Sequence, residues 1–143
     1  MLKKDNCFQE ALDKFSYCID NNVNKEKSLE FRSYCYSMLG MYELAINDIN
    51  SLQDFIGYRK EIYVKRGVDL LHLNRNLDAL QEFNKALEIS SSYGYALYNR
   101  GVAYYRLGDK ILAENDMRRA IECEPEKSRW SSEYEKFFGK IND

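Results

Sequence analysis

A small alanine, followed four places later by a bulky apolar residue and three places after that by another apolar or small one, recurs four times along the chain. The sets are Ala11/Phe15/Cys18, Ala45/Ile49/Leu52, Ala79/Phe83/Ala86 and Ala113/Met117/Ala120, each starting 34 residues after the last. Spacings of four and three put every set on one face of an α-helix. A second series with the same period lies upstream of the alanines: Ser33, Gly67 and Gly101, each preceded by an arginine (Arg32, Arg66, Arg100) and followed three places later by Tyr36, Leu70 and Tyr104. Short breaks, LGMYE at Leu39, LNRNL at Leu73 and LGDKI at Leu107, separate the two series. The pattern predicts units of helix, tight turn, helix. Glycine inside a helix costs about 1 kcal/mol against alanine, so Gly67 and Gly101 predict a close crossing by the second helix of the same unit, at its own alanine.

These periods divide the chain into a second-type helix without a first (6–21), three units (26–59, 60–93 and 94–127) and a closing helix (128–141), all within one domain over 1–143. The polar, asparagine-rich stretch from Asp20 to Ser28 predicts a loop. Asn6 and Gln9 suit a capping box for the first helix, Pro125 marks the break before the last, and Ser128 is a candidate N-cap for it. Trp130, Tyr134, Phe137 and Ile141 form one stripe of that closing helix, with Phe138 beside it, as the end of a stack requires. A ligand-anchoring role for Trp130 is the alternative. Phe8, Leu12, Phe15 and Ile19 are expected to have an uncovered side. Either the chain is a fragment of something longer, or that side meets another protein or another copy, as a homo-oligomer through Phe8, Leu12 and Phe15.

The residues resemble the tetratricopeptide repeats, whose pattern is a bulky residue, two spacers, Leu-Gly, two spacers and an aromatic, then a second helix with Ala, a later Phe and Ala, and a closing Pro. The third unit carries Leu97, Arg100-Gly101, Tyr104, Ala113, Met117, Ala120 and Pro125. The second carries Tyr63, Arg66-Gly67, Leu70, Ala79, Phe83 and Ala86, with Ser91 in place of proline. The first is looser: Leu29, Arg32-Ser33, Tyr36, Ala45, Ile49, Leu52, and Gly57 in place of proline. The resemblance covers residues 6 to 125 and implies an all-α, right-handed superhelix of antiparallel helix pairs. One departure is systematic, since an arginine stands where the family has leucine. The arginines form either a ladder of cations facing a ligand, or long stems packed on the neighbouring helix with heads reaching water or a glutamate. The flanking core residues favour the second.

Composition narrows the chemistry. Of 143 residues, 45% are hydrophobic and 31% charged, and a net charge of −2 supplies no basic field for nucleic acid or an anionic membrane. Neither partner class is expected. MLKKDNCFQEAL has no apolar core of a secretory signal and no stretch is long enough to span a bilayer, so the expected compartment is the cytoplasm. Cys7, Cys18, Cys35 and Cys123 lack CxxC spacing and read as reduced, buried thiols. With one histidine, His72, and no Gly-rich phosphate loop, Ser-His-Asp set or HExxH, neither metal, cofactor nor catalysis is expected. Most of the carboxylates read as solvated charges on outer faces and near turns.

What remains is a surface on the first helices. They carry a further stripe: Val64, Val68 and Leu71 in the second unit, Tyr98, Val102 and Tyr105 in the third, and Glu30, Tyr34 and Ser37 in the first, with Lys65, Asn99, His72 and Arg106 alongside. The resemblance places this stripe on the concave side, where the family holds peptides or partner segments. The expected function is therefore a non-catalytic protein-interaction module binding a protein or peptide with apolar anchors. Tyr34, Val64, Val68, Leu71, Tyr98, Val102 and Tyr105 would seat the anchors, and Lys65, Asn99 and Arg106 would fix register. The alternative is self-assembly through the unpaired N-terminal helix. Some members of the resembled family clamp a terminal carboxylate. Here Asn99 stands where the clamp's middle asparagine would, but Val64 and Val68 fill the places of its first pair and Glu133 that of an arginine, with Arg129 left to supply a lysine's charge. Binding of the acidic terminal peptides of chaperones is not implied.

Overall fold

The computed structural model describes residues 3–141. Among them the chain forms eight α-helices and no strand: α1 (Lys3–Asp20), α2 (Lys25–Met38), α3 (Tyr42–Ile56), α4 (Lys60–His72), α5 (Asn76–Ile89), α6 (Gly94–Arg106), α7 (Lys110–Cys123) and α8 (Ser128–Phe138). The pairs α2/α3, α4/α5 and α6/α7 are hairpins that stack along the chain, with α1 at one end and α8 at the other.

The three hairpin turns close alike. Gly40, Asn74 and Gly108 adopt left-handed φ of 76°, 59° and 89°. The next residue then donates its N–H back to the first helix: Met41 to Tyr36 O at 2.8 Å, Arg75 to Leu70 O and Asp109 to Tyr104 O at 2.9 Å. This is the Schellman closure, which favours glycine or asparagine at the left-handed position. Asp109 also caps α7, accepting from the Leu112 N–H at 3.2 Å.

The repeated alanine faces make the core. Ala45, Ile49, Leu52, Ala79, Phe83, Ala86, Ala113, Met117 and Ala120 are all at most 1% exposed. A methyl group on Gly67 would lie 2.5 Å from Phe83 Cε1, and one on Gly101 would lie 2.6 Å from Met117 Cγ and 3.1 Å from the Ala113 carbonyl oxygen. The crossing is thus close, as the glycines predict, but the element pressing hardest on each is the bulky side chain sixteen places on. The alanine contributes its carbonyl at Gly101.

The arginines form a second ladder. Arg32 donates to both carboxylate oxygens of Asp48 (2.8 and 2.7 Å) and to Ser16 Oγ. Arg100 does the same with Asp116 (2.7 and 2.8 Å) and Asn84. Arg66 gives one bond to Glu82 at 2.8 Å and two to the amide oxygens of Asn50 and Gln53. Each arginine therefore ties the second helix of its own unit to that of the unit before. The packed-stem expectation is met, with carboxylates rather than water at the head. Asp48, Asp69, Glu82 and Asp116 are buried, and they are the exceptions to the expectation that most carboxylates lie on outer faces.

Several local expectations are corrected. The loop after α1 is only residues 21–24, because Asn22 and Asn24 take left-handed φ and turn the chain tightly. Helix α1 already runs from Lys3, so Asn6 lies inside it and forms no capping box. Lys127, not Ser128, flanks the start of α8, and Gly139 at φ 88° ends that helix before Ile141 joins the stripe. Trp130 and Tyr134 are buried, Trp130 against Leu97 and Ala120, as a closing helix requires. All four cysteines are free, but only Cys35 is buried, and Cys7 and Cys123 are exposed.

Candidate functional site

First helices α2, α4 and α6, followed by α8, line a groove with two sections that share Val68, His72, Tyr95 and Asn99. One, of about 480 Å³, lies over α2, α3 and α4 and takes in Tyr34, Ser37, Met38, Tyr42, Val64, Lys65 and Asp69. The other, of about 700 Å³, lies over α4, α6 and α8 and takes in Leu71, Tyr98, Val102, Tyr105, Arg106, Arg129, Trp130, Glu133 and Phe137. All ten residues singled out in the sequence thus line one section or the other.

They do not contribute equally. Val64 and Leu71 are buried in the core with Ala96 and Ala103, and so form the floor rather than the wall. Val68 and Val102 are half-buried and Tyr34 is exposed. Tyr98 stacks on Trp130 (centroids 5.2 Å apart) and Tyr105 on Phe137 (4.2 Å), so α8 covers one face of each ring. Burial raises the Tyr98 phenol pKa, helped by nearby Glu133 and opposed by Arg129. The polar groups are also partly engaged. The Asn99 amide donates to Tyr95 O at 2.7 Å, Arg106 donates to Leu71 O at 2.7 Å, and the Lys65 ammonium lies 3.5 Å from Glu30. His72 stacks on Tyr42 at 4.5 Å, with Nδ1 2.9 Å from Val68 O.

The sequence reading missed Asp69. Its Oδ1 accepts the Ser37 hydroxyl at 2.7 Å, the residue is 3% exposed, and desolvation raises its pKa to about 6, opposed by that hydrogen bond and by His72. The signal was in the period: Cys35, Asp69 and Ala103 share one column, all buried, and an acid in a column of small apolar residues is out of place. Tyr42 and Met38 were missed for another reason, as they flank the first turn, outside the stripe counted along the first helices. Among the described residues no group of three His, Cys, Asp or Glu could hold a metal ion, and no helix is long and apolar enough to cross a membrane.

An all-helical stack of hairpins with a groove along its first helices defines a class of repeat solenoids. Residues 69–108 match a family model described as TPR repeat, and residues 94–127 match the tetratricopeptide repeat model. Residues 69–127 thus carry the tetratricopeptide-repeat pattern. Solved structures of such solenoids superpose on it. The first TPR domain of human RPAP3 is 25% identical, with a TM-score of 0.72 over 78% of this chain and 88% of that one. The first TPR of Spaghetti (RPAP3), solved bound to the HSP90 peptide SRMEEVD, is likewise 25% identical (TM-score 0.71, 80% and 90% covered). A thermophilic TPR protein of Thermus thermophilus, TTC0263, shares the fold (18% identity, TM-score 0.78, 92% and 73% covered). So does MamA from residue 41 onward of Desulfovibrio magneticus RS-1 (18%, 0.77, 91% and 73%).

Proposed function

We propose that this chain is a non-catalytic protein-interaction module that holds a segment of a partner polypeptide in the groove of α2, α4, α6 and α8. The observation that carries the reading is the continuity of the two groove sections. Half-buried Val68 and Val102 and exposed Tyr34 present apolar surface between polar groups that can fix a backbone, the composition of a recognition groove. That a 25% identical domain binds a peptide supports the class of function. Its acidic peptide does not carry over, because valines fill the places of the clamp's first pair.

The test is selection of phage-displayed random 12-residue peptides on the wild-type protein, with rebinding to Val68→Glu/Val102→Glu. These two side chains offer surface without serving as floor, whereas replacing Tyr98 would also unseat Trp130. Rebinding is expected to fall at least tenfold while the helical circular dichroism is unchanged. Equal binding to the variant would place the site elsewhere.

A second reading, self-association, is favoured by one observation at the N-terminal end. Ala11, Phe15 and Cys18 are half-buried, although their nine counterparts in the complete units are at most 1% exposed. Phe15 stacks on exposed Phe31 at 5.5 Å, and Phe8 lies edge-on to Tyr34 at 6.1 Å. Leu12 is buried in the chain's own packing and is no part of this open face, which corrects its place beside Phe8 and Phe15. At the other end α8 turns Arg129, Ser132, Glu135 and Lys136 outward, a polar cap. With one open end, self-association would close as a two-fold pair rather than a filament. Light scattering should give a dimer mass that Phe8→Asp/Phe15→Asp converts to monomer. A monomeric wild type at 100 μM, about the scale of a weak dimer, removes this reading.

A further inference from the structure

The groove contains a buried acid that lacks the partner its counterparts have. Asp48, Glu82 and Asp116 each receive an arginine at 2.7–2.8 Å. Among the described residues, Asp69 receives only the neutral Ser37 hydroxyl, on one of its two oxygens, and forms no ion pair. A buried carboxylate with one neutral donor is costly where an asparagine would bond the same hydroxyl. Asp69 also lines the groove section of about 480 Å³, beside its contact with Ser37 of α2.

The surroundings suit a cation. Tyr34, Tyr42 and Tyr95 line the section, and aromatic faces attract positive charge; the Lys127 ammonium already lies over the Tyr95 ring, and His72 covers one face of Tyr42. The charged and titratable groups facing it are few. From α4 come Lys65, drawn toward Glu30, and His72, stacked on Tyr42; α3 and α6 contribute only tyrosine phenols and Asn99, and α2 Tyr34 and Ser37. Of these only His72 acts on Asp69 electrostatically, and among the described residues none forms an ion pair with it.

Resting on the groove reading above, we infer that this section receives a basic side chain, arginine or lysine, of the bound polypeptide, whose charged head pairs with the free oxygen of Asp69 while its stem lies against the tyrosines. The apolar anchors then fall in the α6/α8 section, and the basic residue sets the register between the two.

The test uses ¹⁵N-labelled full chain titrated with n-butylguanidinium, n-butylammonium and neutral n-butylurea at pH 7.5. The cations are expected to shift the Ser37, Val68 and Asp69 amide signals saturably, and at least tenfold more weakly in Asp69→Asn, which keeps an acceptor for Ser37. Lowering the pH to 5 weakens the cation response as the carboxylate takes up a proton. A urea that binds as well as the cations, an unchanged Asp69→Asn, or no saturable shift overturns the proposal. The peptides selected above separate its failure from that of the groove reading. If they need Val68 and Val102 but bind Asp69→Asn as well as wild type, the groove stands and the basic anchor falls. If they ignore Val68 and Val102, the groove reading falls with it.

Discussion

Replacing Arg100 by methionine removes a rung of the arginine ladder while keeping a long apolar stem. It deletes two hydrogen bonds to Asp116 and one to Asn84. What decides the cost is the residue left behind. Asp116 is 2% exposed, and the cation remaining near it is Arg119, 4.0 Å away on an exposed side chain. Breaking a buried pair by removing one partner costs about 3–5 kcal/mol. Arg100 itself keeps a 20% exposed side chain, so the lower end, about 3 kcal/mol, is expected. At this size that lowers Tm by about 10 °C, measurable by circular dichroism in heat or urea. Asp116→Asn strands a charge that water can reach and should cost only about 1–2 kcal/mol. The double variant Arg100→Met/Asp116→Asn leaves no buried charge and should be more stable than Arg100→Met alone, which a double-mutant cycle reads as coupling. Arg66→Met should cost less than Arg100→Met, since Arg66 gives its carboxylate one bond and Glu82 keeps Lys85 at 3.7 Å. Loss of less than about 0.5 kcal/mol in Arg100→Met, or strict additivity in the cycle, would refute the claim that the ladder holds successive units together.

Two further outcomes follow from packing and charge. Gly67→Ala puts a methyl 2.5 Å from Cε1 of the fully buried Phe83, so overpacking of about 1–3 kcal/mol outweighs the helix-propensity gain; Phe83→Leu should recover part of the loss in urea melts, and a neutral Gly67→Ala would contradict the close crossing. For Asp69 the folded-state pKa is raised from 3.8 to about 6, so the native chain holds the proton more tightly than the unfolded chain. Its contribution to stability is full below about pH 4 and is lost as pH rises through about 6, a drop on the order of 3 kcal/mol. Urea midpoints across that range should fall less in Asp69→Asn than in wild type, and parallel profiles would show that burial does not perturb this group.

The fold was legible because every repeated element left a column at one interval. Alanines marked the second helices, glycines the crossings, and Gly40, Asn74 and Gly108 the left-handed closures. Each of these demands is local and sterically narrow, so few residue types satisfy it. The acids at positions 48, 82 and 116 also recur at that interval, but a carboxylate on a helix reads as a surface charge until its partner is known. That partner sits sixteen places earlier, across a turn, where no helical periodicity reaches. Division of labour within the groove was hidden for the same reason. Val64 and Val68 look alike in sequence, and only the arrival of Ala96 and Ala103 from α6 makes the first a floor and leaves the second a wall.

Departures from the columns carry more functional meaning than the columns themselves. A repeat solenoid needs a residue of similar character at the same place in every unit to stack, so stacking explains Ala45, Ala79 and Ala113 and leaves nothing over. It does not explain an aspartate between Cys35 and Ala103. It does not explain a Phe15 half open where Ile49, Phe83 and Met117 are sealed. Burial without a counter-charge at Asp69, and exposure of a core-type face on α1, are opposite violations of the same periodic rule. Both cost free energy in the isolated chain, and both would be relieved by the partners proposed above: a donor for the acid, an apolar surface for the helix. They lie in the same half of the molecule, joined by α2, whose Ser37 touches Asp69 while its Phe31 and Tyr34 touch Phe15 and Phe8. Occupation of either place therefore bears on the helix that borders the other, and Phe15→Asp is the variant in which to measure whether the cation response at Asp69 changes.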